Sequence, residues 1–541
     1  MTPPPSPPAP PGTPPAPEHG PRWVLHPSLI AAAWVLDIAL ANEVEPAGFG
    51  RSLVVAVVLA TVVTLLAWGA ARERMLGGLI ALGLVLAAIS LRPLDTIWEW
   101  VSSSFGVNAA LGVLGGLLFV ALAVPAFLIV RAMRGGALLR GPATSALNRL
   151  AAVLVIVVLL FHVLPDLPGA VAGLTRGQPS VSVNPPDPIP PDIYMILMDG
   201  YPRADVLERR FGIDNRAFVE ELREHGFEVA EESRSNYVFT QVTLASMFQM
   251  RHIESIPDLA PLIGTPGQHV VALREAITVS PVWQTLRAAG YRIVVNLAGY
   301  EHVSLRSVGA EVLDHGEMND LERVVLGRTW LLDLVKVARP DVYAEPWRDR
   351  ILRGFGDLEL LAAAAESSGT PTFAWVHIPA PHLPLVLNAD GSTRAIDPRR
   401  FDPFSVAGFG LSEAQLRAAY AEELAYVNRR LFRVIDAIEA SAAAAPERPE
   451  PVIVIFSDHG YYYDVTDTQA RFASFLASST PGAPGLLGGS PTPVNYFPLL
   501  LNRYAGTDFA TSEDRYFLSP DTRGLLELTE VPNPDRSAAA R

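Results

Sequence analysis

Apolar residues crowd into the first third of the chain and thin out afterwards. Strong apolar runs occupy 52–71, 75–91, 107–130 and 150–164. Each is near the length of a helix that crosses a hydrocarbon core of about 30 Å. A weaker run at 28–44 carries Asp37 and Asn42. Asp37 reads either as a functional intramembrane carboxylate or as a polar residue facing neighbouring helices. About five spans are therefore expected over residues 22–164. Arg72 and Arg74 fall in one connection; Arg131, Arg134, Arg140 and Arg149 fall in another. Arginine-bearing loops stay in the cytoplasm. The connection at 92–105, with Trp98 and Trp100, suits the outer interface. The last span then delivers everything after residue 165 to the outside of the cytoplasmic membrane.

Two proline-rich stretches flank the spans. Residues 1–21 cannot bury a core and are expected to be a disordered tail. Residues 165–191 contain Pro165, Pro168, Pro179, Pro185, Pro186, Pro188, Pro190 and Pro191, which predicts a stiff linker.

From residue 192 to 541 the pattern changes. Short apolar runs at 193–198, 291–296, 372–377 and 452–456 read as buried strands. Helical signals lie between them. Asp214 is a plausible cap for a helix stopped by Gly226, and Ser280-Pro281 opens another that stops at Gly290. Leu416, Tyr420, Leu424, Val427, Leu431 and Ile435 recur at helical spacing after a cap at Ser412. Buried strands alternating with amphipathic helices predict an α/β domain with a mostly parallel central sheet. Ligands of such sheets bind beyond the carboxyl ends of the strands.

Composition narrows the function. Of 541 residues, half are hydrophobic and 18% are charged, an average over two unlike materials. A net charge of −14 argues against nucleic acid as a partner, since phosphate backbones need clustered Lys and Arg. The absence of Cys excludes disulfides, thiolate metal sites and a cysteine nucleophile.

Polar groups then stand where the sheet rule expects chemistry. Asp199 follows the first strand, His377 and His382 follow another, and Asp458-His459-Gly460 follows the strand at 452–456. An Asp-Gly alone is common turn chemistry. An Asp-His pair at a strand end is sharper. Asp199, Asp458 and His459 together offer two oxygens and one nitrogen to a divalent cation. The hydroxyl-rich segment from Ser233 to Ser246 supplies candidate nucleophiles, and metal contact would activate such a hydroxyl. His225 and His252 read as surface or capping histidines, and Arg234 as a solvated arginine. His377 reads as a partner of a ligand or as an ordinary strand-end histidine. Tyr461, Tyr462 and Tyr463 read as pocket-lining or packing residues.

The order of these motifs resembles the sulfatase-like hydrolase/transferase family of the alkaline phosphatase superfamily. It runs from 194–201, ending in Met198-Asp199-Gly200-Tyr201, through Ser235-Asn236-Tyr237 with Thr240, then His377-Ile378-Pro379-Ala380-Pro381-His382-Leu383-Pro384, to Ser457-Asp458-His459-Gly460. The stretch Pro493-Val494-Asn495-Tyr496-Phe497 also fits, and the resemblance covers about residues 190–510. The layout, spans followed by an outside domain, is similar to lipoteichoic acid synthase and ethanolamine-phosphate transferases. The resemblance implies Asp199, Asp458 and His459 as metal ligands. It implies Thr240 as the metal-bound nucleophile and His382 as a contact to the substrate's phosphate or sulfate group. Two departures stand out. The Cys/Ser-x-Pro-x-Arg/Ala pattern of formylglycine sulfatases is missing after the first strand; the similar string Ser479-Thr480-Pro481-Gly482-Ala483 comes too late. Spacing around Thr240 also leaves Thr243 and Ser246 open as the nucleophile.

The expected activity is a membrane-anchored, metal-dependent hydrolase or phosphotransferase. It would act on phosphate esters, less readily sulfate esters, of envelope lipids or glycans through a covalent threonine intermediate. One divalent ion is expected, Mn, Zn, Mg or Ca, since no second full ligand set is present. A competing reading is a catalytically silent domain that binds envelope polymers. A third, a transporter with an outside cap, suffers from few spans and few intramembrane charges.

Overall fold

In the computed structural model, the described residues are 23–42, 44–90, 137–163, 183–184, 189–265, 267–316, 318–329, 344–365, 369–395, 411–461, 464 and 466–533. The tail at 1–21, the apolar run at 107–130, the connection at 92–105, Arg131, Arg134, most of the linker, Tyr462 and Tyr463 lie outside them. The chain divides into two compact units, one centred on the N-terminal helices and one on the C-terminal domain.

The N-terminal unit contains α1 (His26–Ala41), α2 (Pro46–Ala71), α3 (Arg74–Ser90) and α4 (Ala137–Val163). Among the described residues, two helices are long and apolar enough to cross a membrane. These are Pro46–Ala71, with mean hydropathy 2.5, and Gly141–His162, with 2.2. Two of the about five expected spans are thus present, and the one expected at 107–130 lies outside the described residues. At 16 residues α1 is roughly 24 Å long, short of a core of about 30 Å. The last span is longer than expected, because α4 continues back through Pro142. Side chains set the direction of α1. His26 Nδ1 meets Asn148 Oδ1 at 3.0 Å at one end, and Asp37 meets His162 Nε2 at 3.2 Å at the other. So α1 runs parallel to α4, and Asp37 has its partner on that helix.

The C-terminal unit is built on a seven-stranded sheet in the order β2-β7-β6-β1-β5-β3-β4. Here β1 is Ile193–Met198, β2 Glu228–Val229, β3 Arg292–Asn296, β4 Glu311–Leu313, β5 Thr372–Ile378, β6 Val452–Phe456 and β7 Leu476–Ser479. The five strands from β6 to β4 pair in parallel, and β7 and β2 are antiparallel at one edge. Every residue of β1, β5 and β6 is buried, which explains their unbroken apolar runs. Trp375 on β5 packs against Phe248, Phe456 and Phe497, tying sheet to helices.

The helices start where capping chemistry allows. The Ser280 hydroxyl accepts the Val282 N–H. Ser412 and Gln415 form a reciprocal capping box ahead of the 32-residue helix Glu413–Ala444. Asn215 occupies the N-cap position of the helix Arg216–Glu224 without a side-chain capping bond, while Asp214, one residue earlier, accepts the Arg216 N–H at 3.0 Å.

Candidate active site

The adjacent central strands β6, β1 and β5 end side by side, and their following residues converge. Asp199 follows β1, Asp458 and His459 follow β6, and His377 lies in the last turn of β5, with His382 in the loop beyond. One ligand atom from each of Asp199, His382 and His459 lies within 4.8 Å of the others. Asp458 joins them through His459, whose Nε2 stands 3.5 Å from Asp458 Oδ2 and 3.6 Å from Asp199 Oδ1.

The backbone turns make this possible. Gly200 adopts φ +62°, the left-handed region that suits glycine. A Cβ there would stand 3.2 Å from the His459 ring and 3.5 Å from the His382 ring. Gly460 is still tighter: a Cβ would lie 2.1 Å from the Ala470 carbonyl oxygen. The glycine of Asp-His-Gly therefore lets the segment near Arg471 fold back over the site, and the Gly460 N–H donates to the Arg471 carbonyl at 2.9 Å.

The histidine rings are oriented by carbonyls, which only accept. His459 Nδ1 donates to Gly460 O at 2.8 Å and His382 Nδ1 donates to Leu383 O at 2.6 Å. Each neutral ring thus carries its proton on Nδ1 and offers Nε2 as the ligating nitrogen, the arrangement that outer partners impose on metal-bound histidines. His377 does a different job. Its Nε2 lies 3.0 Å from Asp199 Oδ2. Asn296 on β3 grips its backbone, accepting the His377 N–H at 2.8 Å and donating to its carbonyl at 3.2 Å.

Two atoms lack a protein partner. Asp199 Oδ1 and Asp458 Oδ2 are buried without a hydrogen bond, and the two residues are 1% and 0% exposed. A bare buried carboxylate oxygen costs free energy unless something positive meets it. Burial opposes the Asp199 charge, but His382, His377 and His459 outweigh it and hold that carboxyl well below the usual carboxylate range. The spacing fits one cation. A tetrahedral ion with bonds of about 2.0–2.2 Å has ligand–ligand edges of roughly 3.3–3.6 Å, which matches the 3.5 and 3.6 Å separations. Two oxygens and imidazole nitrogen suit a divalent ion.

Thr240 opens the helix Thr240–Gln249 and is 9% exposed. The approach to it is tied down on both sides. The Ser235 N–H donates to Phe472 O at 2.9 Å. The Asn236 side chain donates to Thr492 Oγ1 at 2.8 Å and accepts the Val494 N–H at 3.0 Å. Two motifs distant in sequence, Ser235-Asn236-Tyr237 and the stretch from Pro493, are thereby one knot. The alternative hydroxyls are occupied: Thr243 donates to Tyr237 O at 3.4 Å and Ser246 to Arg251 O at 2.7 Å.

Other expectations change. His252 is 6% exposed and bonds the Glu513 carbonyl, so it is a core histidine rather than a surface one. Arg234 is 8% exposed and pairs with Glu232, so it is not solvated. His225 stays at the surface with Glu439. Tyr461 packs edge-on to Phe211. Tyr300 was not singled out by the sequence, yet its ring lies 5.7 Å from that of His377 and 6.4 Å from that of His382. No strand-end pattern marks it.

No family model matches the chain, and no curated protein does. Several solved structures are similar to it. The integral membrane lipooligosaccharide phosphoethanolamine transferase A from Neisseria meningitidis is 13% identical over 94% of this chain and 98% of its own, at a TM-score of 0.38. The zinc complex of the C-terminal periplasmic domain of EptC from Escherichia coli is 13% identical over 62% of this chain and 92% of its own, at 0.40. The phosphonate monoester hydrolase of Agrobacterium radiobacter is 15% identical over 61% and 80%, at 0.37. Likenesses of this size do not assign a chemistry; the arrangement of side chains has to do that.

Proposed function

We propose that the C-terminal domain is a metal-dependent phosphoryl-transfer enzyme of the sulfatase-like kind, held at the membrane by its N-terminal helices. The observation that carries this reading is the pair of buried, unpartnered oxygens, Asp199 Oδ1 and Asp458 Oδ2, facing His459 Nε2 at coordination spacing. Asp199, Asp458 and His459 would hold one divalent ion, with His382 beside it. When bound, such an ion lowers the pKa of a hydroxyl and polarises a phosphoryl oxygen.

The chain's own groups supply the rest. Thr240 Oγ attacks phosphorus, the bond from phosphorus to the leaving alcohol breaks, and that alcohol departs with a proton. The N-terminus of the Thr240 helix favours the negative charge that develops there. His382, when protonated, donates from Nε2 to an oxygen of the transferring group. Water or a substrate hydroxyl then attacks the same phosphorus, the Oγ–P bond breaks and Thr240 regains its proton. Water makes the enzyme a hydrolase and an alcohol makes it a transferase.

The membrane helices favour a lipid-linked or envelope phosphoester, because tethering confines the site to that surface. With the arginine loops in the cytoplasm, the parallel run of α1 and α4 puts the start of α1 on the cytoplasmic side as well.

The test uses purified full-length chain and an aryl phosphodiester. Wild type should turn it over in a metal-dependent way. Thr240→Ala should lose turnover by more than about 1,000-fold while keeping its metal, the scale at which removing a nucleophile acts. Full activity in Thr240→Ala would reject this nucleophile.

A further inference from the structure

Among the described residues, Glu423 is the most deeply buried acid outside the site. It lies on the inner face of the helix Glu413–Ala444, at 0% exposure. Its Oε2 accepts the Leu387 N–H at 2.9 Å, while Oε1 is buried without a partner. Leu387 belongs to the loop that His382 begins. Leu383, Leu385, Val386 and Leu387 of that loop are all buried. Residues 386–394 turn back on themselves, with the Arg394 N–H donating to Val386 O at 2.7 Å and the Asn388 N–H to Ser392 O at 2.9 Å.

The strand ladder ends at Ile378, so beyond it sheet pairing no longer fixes the chain. His382 must nonetheless keep its Nε2 within reach of Asp199 and His459. Arg394 holds the loop from one side, donating to Leu387 O at 2.6 Å and Ala419 O at 3.1 Å. Glu423 takes the amide of the same Leu387 from the other. Leu387 is thus gripped at both its N–H and its carbonyl by side chains, as a strand neighbour would grip it.

We propose that Glu423 is a positioning residue for the His382 loop: its carboxyl replaces the missing strand partner and fixes the reach of His382 into the site. This rests on the function proposed above. Burying an acid is costly unless its acceptor is used.

Two variants of the full-length chain separate reach from acidity. Glu423→Asp keeps the carboxyl and shortens the side chain by one methylene. Glu423→Gln keeps an acceptor at the same reach and removes the titratable group. Glu423→Asp should lower kcat on an aryl phosphodiester by roughly tenfold or more, the scale of a misplaced catalytic group. KM and bound metal should hardly change, and hydrogen exchange over 383–388 should quicken. Glu423→Gln should restore both kcat and protection to near wild type. Unchanged kcat and protection in Glu423→Asp, or a Gln variant as impaired as Asp, would overturn the proposal. If wild type itself shows no turnover, the proposed function fails, and the exchange data alone decide whether Glu423 anchors the loop.

Discussion

Strand β1 is flanked by two buried aspartates, Asp192 before it and Asp199 after it, and the two could hardly be more different. At its start, Asp192 accepts the Thr372 N–H at 2.6 Å and both its oxygens meet Arg448 at 3.0 Å. At its end, Asp199 has one oxygen on His377 and the other facing three groups that do not satisfy it. Burial pushes the Asp192 carboxyl above its ordinary range despite Arg448 and Thr372. Asp199 is held below its range by histidines. Asp192 closes a structural network; Asp199 opens toward something absent from the chain itself. Burial of an acid therefore does not mark a site. Unfilled acceptor capacity that converges with other ligands does.

That contrast can be broken first at Asp199. Asp199→Asn should weaken metal binding by more than about 100-fold, beyond the 10–100-fold that outer partners cost, with turnover lost alongside. The metal-free variant should unfold at a somewhat lower temperature than metal-free wild type, because the surrounding histidines favour the charged Asp199 in the folded state. Calorimetry with and without chelator checks both halves. Asp192→Asn should do the reverse. Breaking a buried pair by removing one partner costs about 3–5 kcal/mol, so denaturant unfolding should shift strongly while metal content stays.

Smaller changes sharpen the picture. His377→Gln removes the imidazole that fixes Asp199 Oδ2. Metal affinity should fall by roughly 10–100-fold with little loss of stability, as a chelator titration would read. Glu423 adds a pH effect. Burial pushes its carboxyl up to about 8, against the Leu387 amide, nearby Arg394 and the Val386 backbone. The folded protein then holds this proton more tightly than the unfolded chain. Its contribution is complete below the ordinary glutamate range and is lost as pH rises to about 8, at up to about 1.4 kcal/mol per pH unit. Glu423→Gln should flatten that slope; an identical slope in the variant would place the titration elsewhere.

Much of this was legible in the chain because it is local. The strand at 452–456 is found at those residues, the cap at Ser412 is present, and Asp199, His382 and His459 come together with Asp458 beside His459. What stayed hidden depends on distant partners. Arg448 for Asp192, Asn296 for His377 and Leu387 for Glu423 are each set by which strands and helices become neighbours, and no local periodicity records that. His252 departs from expectation for the same reason: its partner, the Glu513 carbonyl, lies far along the chain. The membrane helices carry a pattern too: α1 and α3 follow their apolar runs closely, at 16 and 17 residues.

The most direct test of the central claim is the metal content of purified full-length chain, measured by mass spectrometry on wild type, Asp192→Asn and the double variant Asp199→Asn, Asp458→Asn. About one divalent ion per chain should accompany wild type and Asp192→Asn, and essentially none the double variant, as expected when the ligands themselves are removed. Equal metal in all three, or none in wild type, would contradict the account.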